Sequence, residues 1–177
     1  MHNCCEEPPI PKSLLVEHRE GLLIGACCND GEIMNALANG CDGEVLLDAA
    51  QFYDYFEIAP GKNLQEINLR IARTAEKLGK PVIATSNARY LTQDYALSHK
   101  ILRHCFKQPE DTNEWWHFRS TEELLDNFSY LGEELCYKAV IANAQLLADM
   151  CEEFELFPKG RHFPATKESA ENLTALC

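Results

Sequence analysis

The stretch from residue 64 to residue 86 constrains the fold of this chain more than any other part. Gly79 suits the end of a helix, and Lys80–Pro81 leads at once into the apolar run 82–86, which is typical of a buried strand. A second apolar run, 55–59, precedes the stretch. The pattern predicts a parallel strand–helix–strand unit. The helix is indicated by apolar residues at helical spacing: Leu64, Ile67, Ile71, Ala75 and Leu78.

Other segments extend this pattern to an α/β fold. The run 21–27 is apolar and bounded by glycines, so it predicts a further buried strand. Ser120–Glu123 fits a capping box, and a long helix is expected over 133–151. Three parallel strands are few, because a closed (β/α) barrel takes about eight units and about 250 residues. A fold of the barrel type would therefore be incomplete here, with a helical C-terminal part.

The chain divides into three regions by composition. Residues 1–13 hold three prolines and no periodicity, so they predict an extended or disordered leader. Residues 14–157 form the α/β domain, and residues 158–177 form a polar tail.

Charge and composition exclude several classes of protein. The formal net charge is −12, which disfavours direct binding to nucleic acid. No apolar run approaches the roughly 20 residues that span a membrane, so a cytoplasmic location is expected. The nine cysteines contain no Cys-x-x-Cys spacing, which favours structural thiols over a zinc ribbon.

Functional groups of parallel α/β proteins collect where the strands end. Here those places hold Cys27–Asp30, Glu57 and Asn87–Arg89. A thiolate and a carboxylate that converge there suit a metal ion. The structural alternative is that Asp30 caps a helix, Glu57 pairs with Arg89, and Cys28 simply packs. Position alone favours this alternative.

The aromatic pair Trp115–Trp116 has acidic neighbours, so it predicts a core or an interface and not a base-stacking site. His99 and His104 lie five residues apart on a predicted helix and therefore make a poor pair of metal ligands.

Several motifs, in order, resemble one known family. Together they are similar to the second part of the PHP (polymerase and histidinol phosphatase) domain of PolC-type DNA polymerase III. The resemblance covers roughly residues 11–160. It rests on His18–Cys28, Asp30–Glu32, Phe52–Ile58, Lys80–Leu91, His117–Leu124, Phe128–Glu134 and Asn143–Cys151.

The resemblance implies a distorted metal-binding (β/α)7 barrel that is interrupted by an inserted 3′–5′ exonuclease. This chain resembles only the part of the domain after the insertion. The resemblance therefore implies that the polymerase and exonuclease carboxylates and the early histidine ligands are absent, with no catalytic and no cofactor-binding residues on this segment. Zinc or manganese belongs to complete PHP sites of the family, and Mg²⁺ to the parent polymerase.

Residue by residue, the family's ligand cysteine matches Cys28. Its later acidic-or-Asn, any, His motif matches Asn87–Arg89, so Arg89 occupies the histidine position. A guanidinium stays protonated and does not serve as an ordinary metal ligand. The ligand at position 89 is lost, and no cofactor is expected on the segment.

The expected function is a non-catalytic scaffold within a PolC-type DNA polymerase III. Two alternatives stay open: a stand-alone, metal-dependent PHP-class phosphoesterase that uses Cys28, Glu57 and another carboxylate, or a protein-interaction module. The expected partners are the remainder of the polymerase and a second copy of the chain, with no nucleic acid and no membrane. A homodimer is expected because a partial barrel has open edges, which the leader, the helix 133–150 or another copy must cover.

Overall fold

A computed structural model describes residues 10–28, 31–41, 43–108 and 116–155, together with Gly160. The strands are β1 (Gly25–Ala26), β2 (Tyr55–Ile58) and β3 (Val82–Ala84). The helices are α1 (Lys12–Glu17), α2 (Glu32–Ala38), α3 (Glu44–Gln51), α4 (Gln65–Leu78), α5 (Ala96–Cys105), α6 (Thr121–Asn127), α7 (Glu133–Tyr137) and α8 (Asn143–Met150). Single 3-10 turns cover Lys62–Leu64, Gln93–Tyr95 and Ser129–Leu131.

The three strands form one parallel sheet in the order β1-β2-β3. Gly25 lies opposite Tyr55, and Phe56 lies opposite Val82. The expected α/β class and the three parallel strands are confirmed. Whether the sheet belongs to a partial PHP-type barrel stays a prediction.

The first strand is much shorter than the expected run 21–27. Gly21 has a φ of 76°, and Leu22 donates its backbone N–H to the carbonyl of Arg19. The Arg19 guanidinium also donates to the carbonyl of Leu22 at 2.6 Å. These bonds hold the chain in a turn, so the extended backbone of β1 begins only at Gly25.

The strand–helix–strand unit forms as expected. Gly79 ends α4 with a left-handed backbone at φ 64° and ψ 28°. Its N–H donates to Glu76, and the N–H of Lys80 donates to Ala75, which satisfies carbonyls at the end of the helix. The apolar face of α4 packs on the sheet, and the core contains Phe56, Ile58, Ile71, Ala75 and Phe128, all buried.

The long C-terminal helix is continuous but not uniform. Between α7 and α8 the backbone widens into a π-helical turn over Lys138–Ala142. Asn143, just after this turn, donates its side-chain amide to the carbonyl of Val82 at 2.7 Å. The carbonyl of Pro81 accepts the backbone N–H of Phe56 in β2. Because successive carbonyls of a strand point to opposite sides, the carbonyl of Val82 points to the outer edge of β3. The helix therefore contacts the β3 edge of the sheet.

Several details differ at the ends of elements. Helix α1 begins at Lys12, inside the expected leader, whereas residues 1–9 and nearly all of the tail lie outside the described residues. Asp30 also lies outside them, and Gly31 is the N-cap of α2. The capping box of Ser120 and Glu123 is confirmed at α6. No helix in the described ranges is long and apolar enough to cross a membrane.

Candidate metal centre

A cluster of thiols and a carboxylate lies at the carboxyl ends of β1 and β2. Cys27 and Cys28 directly follow β1, and Glu57 lies within β2. One ligand atom from each lies within 4.8 Å of the others. The Cys28 sulfur is 4.0 Å from Oε2 of Glu57. The structure therefore brings together Cys28 and Glu57, the two residues named for a metal-dependent alternative on sequence grounds.

The register of the sheet explains this convergence. Ala26 pairs with Phe56, so the residues after β1 run alongside Glu57. Asp54 strengthens the register because its carboxylate accepts the N–H of Ile24 at 2.6 Å. Thr85, just past β3, adds a hydroxyl 3.6 Å from the Cys28 sulfur. All three strands thus contribute to one edge.

The surroundings of the cluster favour neutral groups. Cys28 is only 4% exposed, and burial raises the pKa of its thiol to about 11 despite the hydrogen bond with Thr85. Burial also raises the pKa of Glu57 above its usual value. Cys27, in contrast, is exposed. The site is half open, with one thiol inside and one at the surface.

Two thiolates and a carboxylate are ligand types that zinc accepts, whereas manganese prefers oxygen ligands. Structural zinc sites take four protein ligands and catalytic ones take three plus water. Among the described residues this is the one group of three such side chains. The donor set thus fits a zinc ion in number and type for an open site, but not for a closed structural one.

Asn87 and Arg89 follow β3, just beyond Thr85. No hydrogen bond or ion pair between described residues links either side chain to Cys28. Asn87 has a left-handed backbone, with φ at 47°. Arg89 is exposed, and its guanidinium lies 5.9 Å from the centre of the Trp116 ring. The expected ion pair between Glu57 and Arg89 is therefore wrong, because the Arg89 guanidinium lies over the Trp116 ring. The pKa of Glu57 rises through burial alone.

Trp116 lies at the centre of a second group of side chains, which contains Arg89, His99 and Arg103. The buried ring contacts His99 edge to face, with 5.2 Å between ring centres. The guanidinium of Arg103 also lies 5.2 Å from the Trp116 ring. Trp116 thus lines the core, as expected, and His99 serves packing. Trp115 lies outside the described residues.

The sequence-based predictions do not identify two members of the site. They place Cys27 at a strand end but give it no role as a ligand, and they give Thr85 no role at all. The signal for Cys27 is the vicinal pair at a strand end, where the chain turns and alternation of side chains stops. The signal for Thr85 is its position one residue beyond β3, at the edge where β1 also ends. Both follow from the parallel arrangement.

The chain is similar in sequence to several known proteins that share one name. No protein-family model matches it. The DNA polymerase III PolC-type of Halalkalibacterium halodurans is 35% identical over 94% of this chain. That of Staphylococcus haemolyticus is 39% identical over 82%, and that of Bacillus subtilis is 33% identical over 98%. The chain spans only 11–13% of the length of these relatives. It is therefore related in sequence, over most of its length, to one segment of PolC-type DNA polymerase III.

Proposed function

We propose that the chain is a non-catalytic scaffold segment of a PolC-type replicative DNA polymerase III in the cytoplasm. The observation that carries the proposal is the match of most of the chain to a small segment of proteins with that name. Residues 14–157 would form the part of the PHP domain that comes after the exonuclease insertion. DNA-directed DNA synthesis, with Mg²⁺, would belong to the complete polymerase.

The shape of the sheet supports a role inside a larger protein. Among the described residues β1 pairs only with β2, and so it keeps one edge without a strand partner. The opposite edge, at β3, is covered by Asn143 and the C-terminal helix. In the proposed role, strands from the remainder of the polymerase pair with β1 and extend the barrel, since open strand edges invite pairing.

The side chains support a non-catalytic role. The family positions 87 and 89 carry an amide and a guanidinium, and Arg89 lies over Trp116. Of the family-matched positions, Cys28 lies in the cluster with Cys27 and Glu57. We therefore propose that the purified chain holds well below one equivalent of zinc or manganese and, with its net charge of −12, binds no DNA.

The second candidate is a metal-dependent phosphoesterase, which the convergence of Cys27, Cys28 and Glu57 favours. Elemental analysis and hydrolysis of a phosphomonoester separate the two candidates. The scaffold proposal expects little metal and no hydrolysis. A stoichiometric metal and an activity lost in both Cys28→Ser and Glu57→Gln, but kept in the exposed-site control Cys105→Ser, would establish the phosphoesterase instead.

Co-purification tests the scaffold role directly. The Bacillus subtilis relative, with its matched segment deleted, is co-expressed with the full chain carrying an affinity tag. We expect the two polypeptides to purify together, and the chain alone to lack primer extension. A tagged chain that never retains the deleted polymerase, while the intact folded chain is recovered, would contradict the proposal.

A further inference from the structure

Helix α5 turns its apolar side away from the protein. The side chains that face the body are Ala96, His99 and Arg103, and the last two pack on Trp116. The rest of its surface carries four apolar residues that are 56–71% exposed: Leu97, Ile101, Leu102 and Phe106. We call these four residues the outward face of α5. A helix at the surface of a globular protein ordinarily shows the reverse arrangement.

The exposed apolar residues of the outward face lie in neighbouring pairs and not singly. Leu97 and Ile101 are four residues apart, as are Leu102 and Phe106, so each pair is adjacent on the helix surface. Leu91 and Tyr95, in the chain just before α5, are exposed as well. A clustered apolar surface of this kind marks an interaction site, because water exposure is costly for it.

The lysines on and just after α5 make this side of the helix positive, although the whole chain is strongly negative and Asp94 lies in the turn before the helix. The exposed Lys100 lies along one border of the patch, and Lys107 comes after its end. The helix Ala96–Cys105 contains no Asp or Glu. The fitting partner is therefore apolar and acidic at once.

The chain carries such a surface at the end of its last helix. Leu146 and Met150 lie four residues apart on α8, and Phe154 comes next, all three exposed. The same stretch holds four acidic residues and no basic one: Asp149, Glu152, Glu153 and Glu155. We call residues 146–155 the acidic segment. In size and charge it is complementary to the outward face of α5.

We propose that the outward face of α5 binds the acidic segment of a second copy of the chain. Both surfaces stay exposed within one folded chain, so a second copy can bury both. Reciprocal contact about a two-fold axis makes the pairing twice and closes the assembly as a dimer. This interface differs from the sheet edge, where the sequence alone predicts a dimer, and does not depend on a role in a polymerase.

Light scattering on the full chain tests the proposal. At micromolar concentration we expect twice the 20.0 kDa mass of one chain. Ile101→Glu places a charge in the apolar contact and should raise the dissociation constant by about tenfold or more. The control Val45→Glu changes another exposed apolar residue, on α3, and should leave the dimer intact. Added salt should weaken the dimer, since the contact is partly ionic.

A charge swap tests the identity of the occupant. In variant A, Lys100→Glu and Lys107→Glu make the helix surface negative. In variant B, Asp149→Lys, Glu152→Lys and Glu153→Lys change the segment from four negative charges to a net two positive ones. Each variant alone should be monomeric, because like charges meet in both contacts, whereas an equimolar mixture should form an A–B dimer. Circular dichroism checks that both variants are folded.

Three results would overturn the proposal. One is an unmodified chain that stays a monomer. If the remainder of a polymerase then binds through α5, the outward face belongs to that partner. Another is a dimer that Ile101→Glu leaves unchanged. The third is a mixture of folded variants A and B that stays monomeric.

Discussion

Asp54 is the residue whose replacement tests the geometry of the candidate site most directly. Arg19 donates to both of its carboxylate oxygens at 2.6 Å, and the backbone N–H of Ile24 donates to one of them at the same distance. The N–H of Asp54 in turn donates to the carbonyl of Ile24 at 2.7 Å. This group therefore ties the start of β2 to the residue before β1, and so positions Cys28 beside Glu57.

Asp54→Asn keeps the shape and one acceptor oxygen but removes the charge. A hydrogen bond to a charged group contributes about 1.5–3 kcal/mol, and one between neutral groups about 0.5–1.5 kcal/mol. The side chain is nearly a third exposed, so solvent screens part of the ionic contribution. We expect the free energy of unfolding to fall by about 1–2 kcal/mol at pH 7. The control is Asp48→Asn, an exposed carboxylate on α3, which should change it by less than about 0.5 kcal/mol.

The effect should also depend on pH. Burial raises the pKa of the Asp54 carboxyl, but the hydrogen bonds from Arg19 and Ile24 and the charges of Arg19 and Lys80 outweigh it, so the pKa lies below its usual value. A carboxyl with a depressed pKa stabilises the fold above its unfolded pKa of about 3.9, and this stability is lost as the pH falls through the folded value. The difference between the parent and Asp54→Asn should therefore be full at pH 7 and shrink as the parent's own carboxylate is protonated.

Urea unfolding followed by far-UV circular dichroism, from pH 7 down to about pH 3, measures this difference. A loss that equals that of Asp48→Asn at pH 7 would refute the role of Asp54 as a tie between the strands. A loss that keeps the same size throughout the pH range would refute the electrostatic part of the reasoning.

Three further substitutions test the core and one helix end. Phe128→Ala empties a fully buried position, so thermal unfolding should show a loss of about 3–5 kcal/mol; an unchanged midpoint would remove Phe128 from the core. Asn68→Ala leaves the buried carbonyl of Ala59 and the hydroxyl of Tyr130 without their donor, and urea unfolding should show a loss of about 1–3 kcal/mol, larger than that of Tyr130→Phe. Ser120→Ala removes a capping side chain and should cost about 1 kcal/mol, with faster hydrogen exchange in the first turn of α6, whereas Ser120→Asp should preserve both.

The sequence predicts the part of the fold where local and long-range signals agree. From Leu64 to Ala84, helical periodicity, a glycine that suits a left-handed helix end and a continuous apolar run all favour the same structure, and that structure forms. The run 21–27 fails because apolar content alone does not reveal the turn that Gly21 and the Arg19 side chain hold.

The candidate site was predictable only in part, for a related reason. Parallel topology indicates that Cys28 and Glu57 meet, but a sequence does not say which way a side chain leaves a strand end. On sequence grounds Arg89 is therefore the expected partner of Glu57. In the structure the pairing of Tyr90 with His117 brings Trp116 close, and Arg89 lies over the ring of Trp116 instead. Similarly, the sequence predicts a helix that carries His99 and His104, but only the packing shows that His99 and Arg103 occupy its inner side.

The π-helical turn at Lys138–Ala142 changes the direction in which the side chains of the last helix point. Each residue of an α-helix advances by about 100° around the axis, so one extra residue in a turn rotates the rest of the helix by that angle. Cys136 on α7 and Ala139 within the turn are buried in the core, whereas Asn143, at the start of α8, donates to the carbonyl of Val82. Deleting one residue between 138 and 142 would close the turn, carry Asn143 away from β3 and bring a neighbouring residue into its place. A single extra residue thus sets which side of α8 meets β3.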